Sequence, residues 1–290
     1  MRRENMGTKV LRIATVGMLG CLMWMSVASA GVEPSPFLEG IFGFSDDDVW
    51  AVGELGKTWH FDGKYWKEIQ APTERDLTAV WGTEEDLWAV GEGALLQWKD
   101  GSWVMGLEPS PFLRAIWGPN SEEAWAVGDD GAVLRYIKGR WTTVKLRTKA
   151  DLVAVWGTDS DNVWIVGEDG IILHFKNGEW VMGFGESPFL RAVWGTSDTD
   201  IWAVGDEGSM LHYDGRRWKS ADFGVEKDLL GLYGLNSENI FAVGTRGTIL
   251  KFDGNTWRPV ASGTERDLYD IWLSEEGNPI AVGDGVIWTP

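Results

Sequence analysis

An all-β ring of seven repeated four-stranded units is predicted by three features of this 290-residue sequence. The tripeptide Ala-Val-Gly begins at Ala51, Ala89, Ala126, Ala203, Ala242 and Ala281, with Ile165-Val166-Gly167 as a seventh copy, in steps of 37 to 39 residues. Upstream of each copy stands an aromatic residue, usually followed by Gly: Phe42, Trp81, Trp117, Trp156, Trp194, Tyr233 and Trp272. Two markers held in phase over seven copies define a true repeat array. The third feature is composition within the repeat, where β-branched and aromatic residues fill short segments between turn signals and no helical period appears. A period of this length with four short strands is that of a propeller blade. An open solenoid is the competing array, but these units lack its helices or short coil repeats. The fold class is therefore an all-β, seven-bladed β-propeller of four-stranded antiparallel blades, occupying residues 31–290.

The elements of one repeat follow in order, taking the fifth copy. "LRAVWG" is the first strand, followed by an acidic turn and then "DIWAVG", the second strand. In the matching "DVWAVG" of the first copy both alternate faces are apolar, Val49 and Ala51 on one and Trp50 and Val52 on the other. Such a strand must be covered on both sides, as in sheets stacked face to face around an axis. A Gly-Asp-Glu-Gly turn leads to the third strand, "SMLHYDG", and a hairpin to the fourth, "RRWKSADF". Asp-Gly at 62, 100, 214 and 253 and Asn-Gly at 177 are hairpin pairs that tolerate positive φ. The seventh copy reaches Pro290 just after its third strand, so blade seven is expected to be three-stranded, or patched by Gly31 to Pro34.

A longer period overlies the first. Copies one, three and five lead into their first strand through "SPFL" at Ser35, Ser110 and Ser187, whereas the others use Asp-Leu at Asp76, Asp151, Asp228 and Asp267. Phe37, Phe112 and Phe189 thus occupy the register position of those aspartates, as expected of a duplicated two-blade unit.

Residues 1–30 read as a signal peptide. Arg2, Arg3, Lys9 and Arg12 precede the apolar run from Ile13, and Ala28-Ser29-Ala30 is a signal-peptidase pattern. An uncleaved anchor and lipidation at Cys21 are the less favoured readings. The protein is expected to be exported, to the periplasm or the extracellular space, with no membrane insertion after cleavage. Net charge is −18 for the whole chain and −21 once the leader's four basic residues and Glu4 are gone. That balance disfavours nucleic acid, whose affinity comes from Lys and Arg displacing counterions, and favours cations and basic partners. Cys21, the single cysteine, lies in the leader, so the exported chain has no disulfide and is held by its core. Nineteen of the twenty tryptophans lie beyond the leader, and burying each is worth at most about 4–6 kcal/mol by area.

The pattern "IW-G-x-x-x-x-D-x-W-AVG", with "D-G-x-x-W" at Asp62–Trp66, Asp214–Trp218 and Asp253–Trp257, resembles bacterial secreted propellers of the Asp-box and BNR-like type. That group includes photosystem II assembly-factor-like and two-component-regulator-type propellers. The resemblance spans residues 37–290 and implies the fold and export. It departs from a true Asp box, which has Ser or Thr first and then Asp-x-Gly, and it implies no particular activity.

Four sets of residues bear on chemistry. His60, His174 and His212 share one repeat position with Gln97, Arg135 and Lys251, and are read as solvated strand residues that point away from one another, not as metal ligands. The tryptophans fall in register and are read as packing between blades rather than as a ligand cage. Acidic runs at Ser45, Thr158 and Thr196 are read as solvated turns with Asx hydrogen bonds, although alternating aspartates offer oxygen ligands to calcium. The second residue of the first strand varies most: Glu39, Thr78, Arg114, Val153, Arg191, Leu230 and Tyr269, with Asp270 replacing a neighbouring Ala or Gly. In propellers this strand lines the axis. The candidate ligand-binding set is therefore Arg114, Arg191, Glu39, Tyr269 and Asp270, with ion pairs plugging the channel, such as Glu39 with Arg114, as the structural alternative.

These readings converge on an exported, non-catalytic, monomeric propeller. It would bind a protein or a small anionic ligand at the central-channel face, with no cofactor and no metal. Arg114 and Arg191, on blades three and five, would clasp the anion. The alternatives are a sialidase-like glycoside hydrolase, with Tyr269 and Asp270 as nucleophile pair and the arginines holding a carboxylate, or a purely structural envelope or surface protein.

Overall fold

The computed structural model describes residues 37–184, 189–221 and 223–290. The leader, the lead-in residues 31–36 and the lead-in at Ser187 lie outside them. Among the described residues there are seven antiparallel sheets, six with four strands and the last with three. Blade one contains Leu38–Ser45, Asp48–Gly53, Thr58–Phe61 and Trp66–Ile69, paired in that order. Blade seven contains Leu268–Leu273, Pro279–Gly283 and Val286–Trp288. The innermost strands of blades two to six are Leu77–Gly82, Leu113–Asn120, Leu152–Asp159, Leu190–Ser197 and Leu229–Asn236. Each packs against the next, and that of blade seven packs against that of blade one, so the ring is closed.

Second strands are buried on both faces: Val49, Trp50, Ala51 and Val52 are all 5% exposed or less. Aromatic clusters join the blades. Trp50 packs edge-on against Trp98 and Trp103 of blade two, and Trp125 against Trp180 of blade four at 88°. Trp88 meets Tyr136 and Trp141, Trp164 meets Tyr213 and Trp218, and Trp202 meets Phe252 and Trp257. Such edge-to-face contacts add about 0.5–1.5 kcal/mol each to the burial of the rings.

The Gly that follows the inner aromatic has a steric cause. A Cβ on Gly157 would lie 2.8 Å from the Trp117 ring of the preceding blade and 2.5 Å from the Asn162 carbonyl. Gly43 likewise seats Trp272 across the closure, at 2.7 Å. Each Trp-Gly pair is thus a plug for one blade and a seat for another.

The lead-in aspartates are inter-blade caps. Asp76, Asp151, Asp228 and Asp267 accept the backbone N–H of Leu55, Asp130, Glu207 and Arg246 at 2.8–3.0 Å. Those four residues sit at φ 55–56° in the turn between second and third strands of the preceding blade. The left-handed conformation is costly for a residue with a Cβ, and the carboxylate offsets it.

Candidate functional site

In every blade the register slips once after the leading leucine, so that the following residue has no partner in the ladder. These bulged residues are Glu39, Thr78, Arg114, Val153, Arg191, Leu230 and Tyr269. A β-bulge re-aims a side chain while leaving the strand in place. Here it turns all seven from the inter-blade core into the central channel, beside leucines that are 0–1% exposed. They line one cavity of about 490 Å³, together with Phe37, Glu54 and Asp270. The structure therefore brings Glu39, Arg114, Arg191, Tyr269 and Asp270 together at the end of the channel where the lead-in segments and the second turns meet.

The arginines have partners that differ from the expected ones. Arg191 donates from Nε to Asp206 Oδ1 at 2.7 Å and from Nη2 to Oδ2 at 3.2 Å, a fork typical of guanidinium and carboxylate. Arg114 donates from Nε to Asp129, and its Nη2 lies 3.7 Å from Asp151. Both guanidiniums lie over the phenylalanine two residues earlier, Arg191 4.0 Å from the Phe189 ring centre and Arg114 5.1 Å from that of Phe112. The expected Glu39–Arg114 plug is replaced by pairing with Asp129, because the second turn of its own blade presents a carboxylate closer to the bulge.

Glu39 has no such arrangement. Burial, then the charges of Asp76 and Glu54, raise its carboxyl to about 7 against the opposing pull of Arg114. Asp270 is held at the closure between blades seven and one. Its Oδ2 accepts the N–H of Ile41 at 3.0 Å and its Oδ1 that of Ile271 at 2.8 Å. Burial raises it to about 7 despite those two bonds. Burial also raises the Tyr269 phenol, helped by Asp267, Asp284, Glu39 and Glu54.

The histidines are more enclosed than a solvated strand position implies. His60, His174 and His212 stack on Trp50, Trp164 and Trp202 at 4.2, 3.7 and 4.2 Å. Each Nε2 bonds to the residue that opens the second strand: Asp48 at 2.8 Å, Asn162 at 2.6 Å and Asp200 at 2.7 Å. The indole face supplies the cover, and desolvation lowers His174 to about 4. On the far face, the acidic runs of blades four and five line a depression of about 440 Å³ that includes Asp159, Asp161 and Asp198. Among the described residues, no three or more His, Cys, Asp or Glu side chains are grouped so that they could hold one metal ion.

Sequence reasoning missed Glu54, Asp129 and Asp206 as companions of the bulge. They read as ordinary turn acids; the signal available was their fixed place after the Gly of each Ala-Val-Gly in blades one, three and five, the blades that also carry Phe.

The sheets and their ring define the chain as a seven-bladed β-propeller repeat protein. No family model matches it. Among solved structures it is similar to YCF48 from Cyanidioschyzon merolae, at 17% identity with TM-score 0.70 over 89% of this chain and 96% of that one. It is also similar to YCF48 bound to a D1 peptide, at 17% identity and TM-score 0.73, over 89% and 92%. A third neighbour is streptogramin B lyase, at 17% identity and TM-score 0.76, over 89% and 94%. A stretch of 76 residues is 37% identical to the immune protein Tsi7 of Pseudomonas aeruginosa, covering 26% of this chain and only 25% of that protein.

Proposed function

We propose that this chain is an exported, non-catalytic propeller that binds a protein partner at its central-channel face. The observation that carries the reading is the convergence of all seven bulged residues, which include an acid, two arginines, a tyrosine, a threonine and two aliphatics, on one cavity in an otherwise regular array. Core packing asks for no such diversity. A structural neighbour in which YCF48 holds a D1 peptide, and a partial relative named as an immune protein, agree with a protein as occupant. Export rests on the sequence of residues 1–30.

Of the two occupants expected from sequence, the small anion has less support. Both guanidiniums already face carboxylates, and an incoming anion would have to displace Asp129 or Asp206 from them. The glycosidase reading is weaker for a related reason. Asp270 spends both oxygens on backbone N–H groups at the closure, so it is poorly placed to activate Tyr269.

The test is affinity capture from the periplasm or culture medium, with the wild type beside Val153→Trp, whose indole would fill the channel mouth. The expected result is one partner retained by the wild type and lost by the variant. Capture that Val153→Trp leaves intact would move the binding surface elsewhere. An anionic occupant predicts a further outcome: loss of binding in the Arg114→Ala/Arg191→Ala double variant.

A further inference from the structure

Blades one, three and five present the same three-part arrangement at the channel mouth. In blade three it consists of the Phe112 ring, the Asp129 carboxylate of the second turn and the Asp151 carboxylate of the next blade's lead-in, and these surround Arg114. In blade five, Phe189 and Asp206 hold Arg191, and Asp228 stands at the lead-in position equivalent to Asp151. Blade one repeats every component: Phe37, Glu54 and Asp76. At the arginine position, however, it carries Glu39. Phe37 is 43% exposed. Among the described residues no guanidinium or ammonium covers its ring.

We propose that blade one's arrangement receives a guanidinium from outside, an arginine side chain of the protein partner. It would stack on Phe37 and bond to Glu54, Glu39 and Asp76. This rests on the central face being the binding face. The molecule demonstrates the ring and second-turn carboxylate around a guanidinium twice with its own arginines, and the lead-in carboxylate beside them in blade three. Glu39 adds a third carboxylate where the other blades have the cation, making blade one's site more acidic than its counterparts. Burial first, and then the charges of Asp76 and Glu54, raise the Glu39 carboxyl, and a cation placed among the three carboxylates opposes both effects. An aromatic face with flanking carboxylates favours guanidinium over ammonium, because the planar fork can stack and donate at once. Phe37 at the rim and Leu55, 67% exposed, give an apolar border for the stem of the incoming side chain.

The test uses the exported protein and the peptide amide acetyl-Gly-Arg-Gly, with its citrulline counterpart as the uncharged isostere. Binding is followed by amide chemical shifts. The Arg peptide is expected to move the signals of Leu55 and Thr78, and the citrulline peptide to leave them in place. Glu39→Arg supplies the missing guanidinium from within, and should weaken peptide binding roughly tenfold or more. Phe37→Ala should weaken it as well. Glu179→Arg, with the same charge change on the outer strand of blade four, should not. If Glu39→Arg folds poorly, Glu39→Gln tests the charge alone. Arg114→Ala gives an independent check, because it should create a second peptide site on blade three.

Equal binding of arginine and citrulline peptides would overturn the proposal. So would a Glu39→Arg variant that binds as the wild type does, or an Arg114→Ala variant that gains nothing. Failure here, with capture of a partner still sensitive to Val153→Trp, would leave the central face as the binding surface and remove only the arginine subsite.

Discussion

Asp270 is one residue with two consequences. It replaces the small residue that other blades carry beside the bulge, and with it bonds blade seven to the Ile41 amide of blade one. Removing it as Asp270→Ala leaves two backbone N–H groups without their acceptor, which should cost about 1–3 kcal/mol. Thermal melting should detect that loss. Its pH dependence has a definite sign. Asp270 and Glu39 both titrate near 7 in the fold and near 4 when unfolded, so between those values the folded state holds more protons. Their contribution to stability is fully present below about pH 4 and lost as pH rises through 7. His174 pulls the other way, because its lowered value makes the fold lose stability below the ordinary histidine range. Asp62, Asp214 and Asp253 are held low by Lys67, by Lys219 and by the Thr256 amide, and they act only in stronger acid. The clean measurement is therefore a difference: the stability gap between wild type and Asp270→Asn should widen as pH falls from 8 to 5.

At the scale of the element, the strand pattern was readable because both faces of the second strand are apolar and the markers repeat. The reason for the Trp-Gly pair was not readable, since the ring that fills each glycine's Cβ space comes from another blade. Gly157→Ala should force Trp117 or the Asn162 carbonyl to move, costing about 1–3 kcal/mol in urea unfolding. Leu273 marks the exception: it follows Trp272 where other blades have Gly. The alternation of Phe and Asp was visible as a longer period, but its meaning depended on a hydrogen bond between blades that no single repeat contains. Asp228→Ala removes the acceptor of the left-handed Glu207 amide and should destabilise by about 1 kcal/mol. The same substitution tests whether the caps matter beyond local turn geometry. The candidate site was legible for a related reason. The bulge itself left no mark in the sequence, yet positions released from the ladder drift in chemistry, and that drift singled out Glu39, Arg114, Arg191 and Tyr269.

For the whole molecule, the junctions are unequal. Five blades insert a Trp into the aromatic pair of the next, whereas the equivalent second-strand position is Phe241 in blade six and Ile280 in blade seven. Among the described residues, Trp272 in its Gly43 seat and Asp270 bonded to the Ile41 amide hold the closure. Hydrogen exchange should show amides of blades one and seven opening first, with blades three and four the slowest, as expected when cooperative units differ in buried contact. The acidic field of the chain adds a kinetic expectation. A basic partner captured at the central face should associate roughly tenfold more slowly at high salt than at low salt, whereas its dissociation rate changes less.

The seven register slips have a consequence beyond the present sequence. They separate what the ring must keep from what its mouth displays: the leucine beside each slip is locked in the core, while the slipped residue has no partner in the ladder. Positions 39, 78, 114, 153, 191, 230 and 269 therefore stand as seven letters printed on a repeating spool. Descendants of such a chain could exchange one cargo for another by rewriting that word alone, with no renegotiation of the fold beneath it.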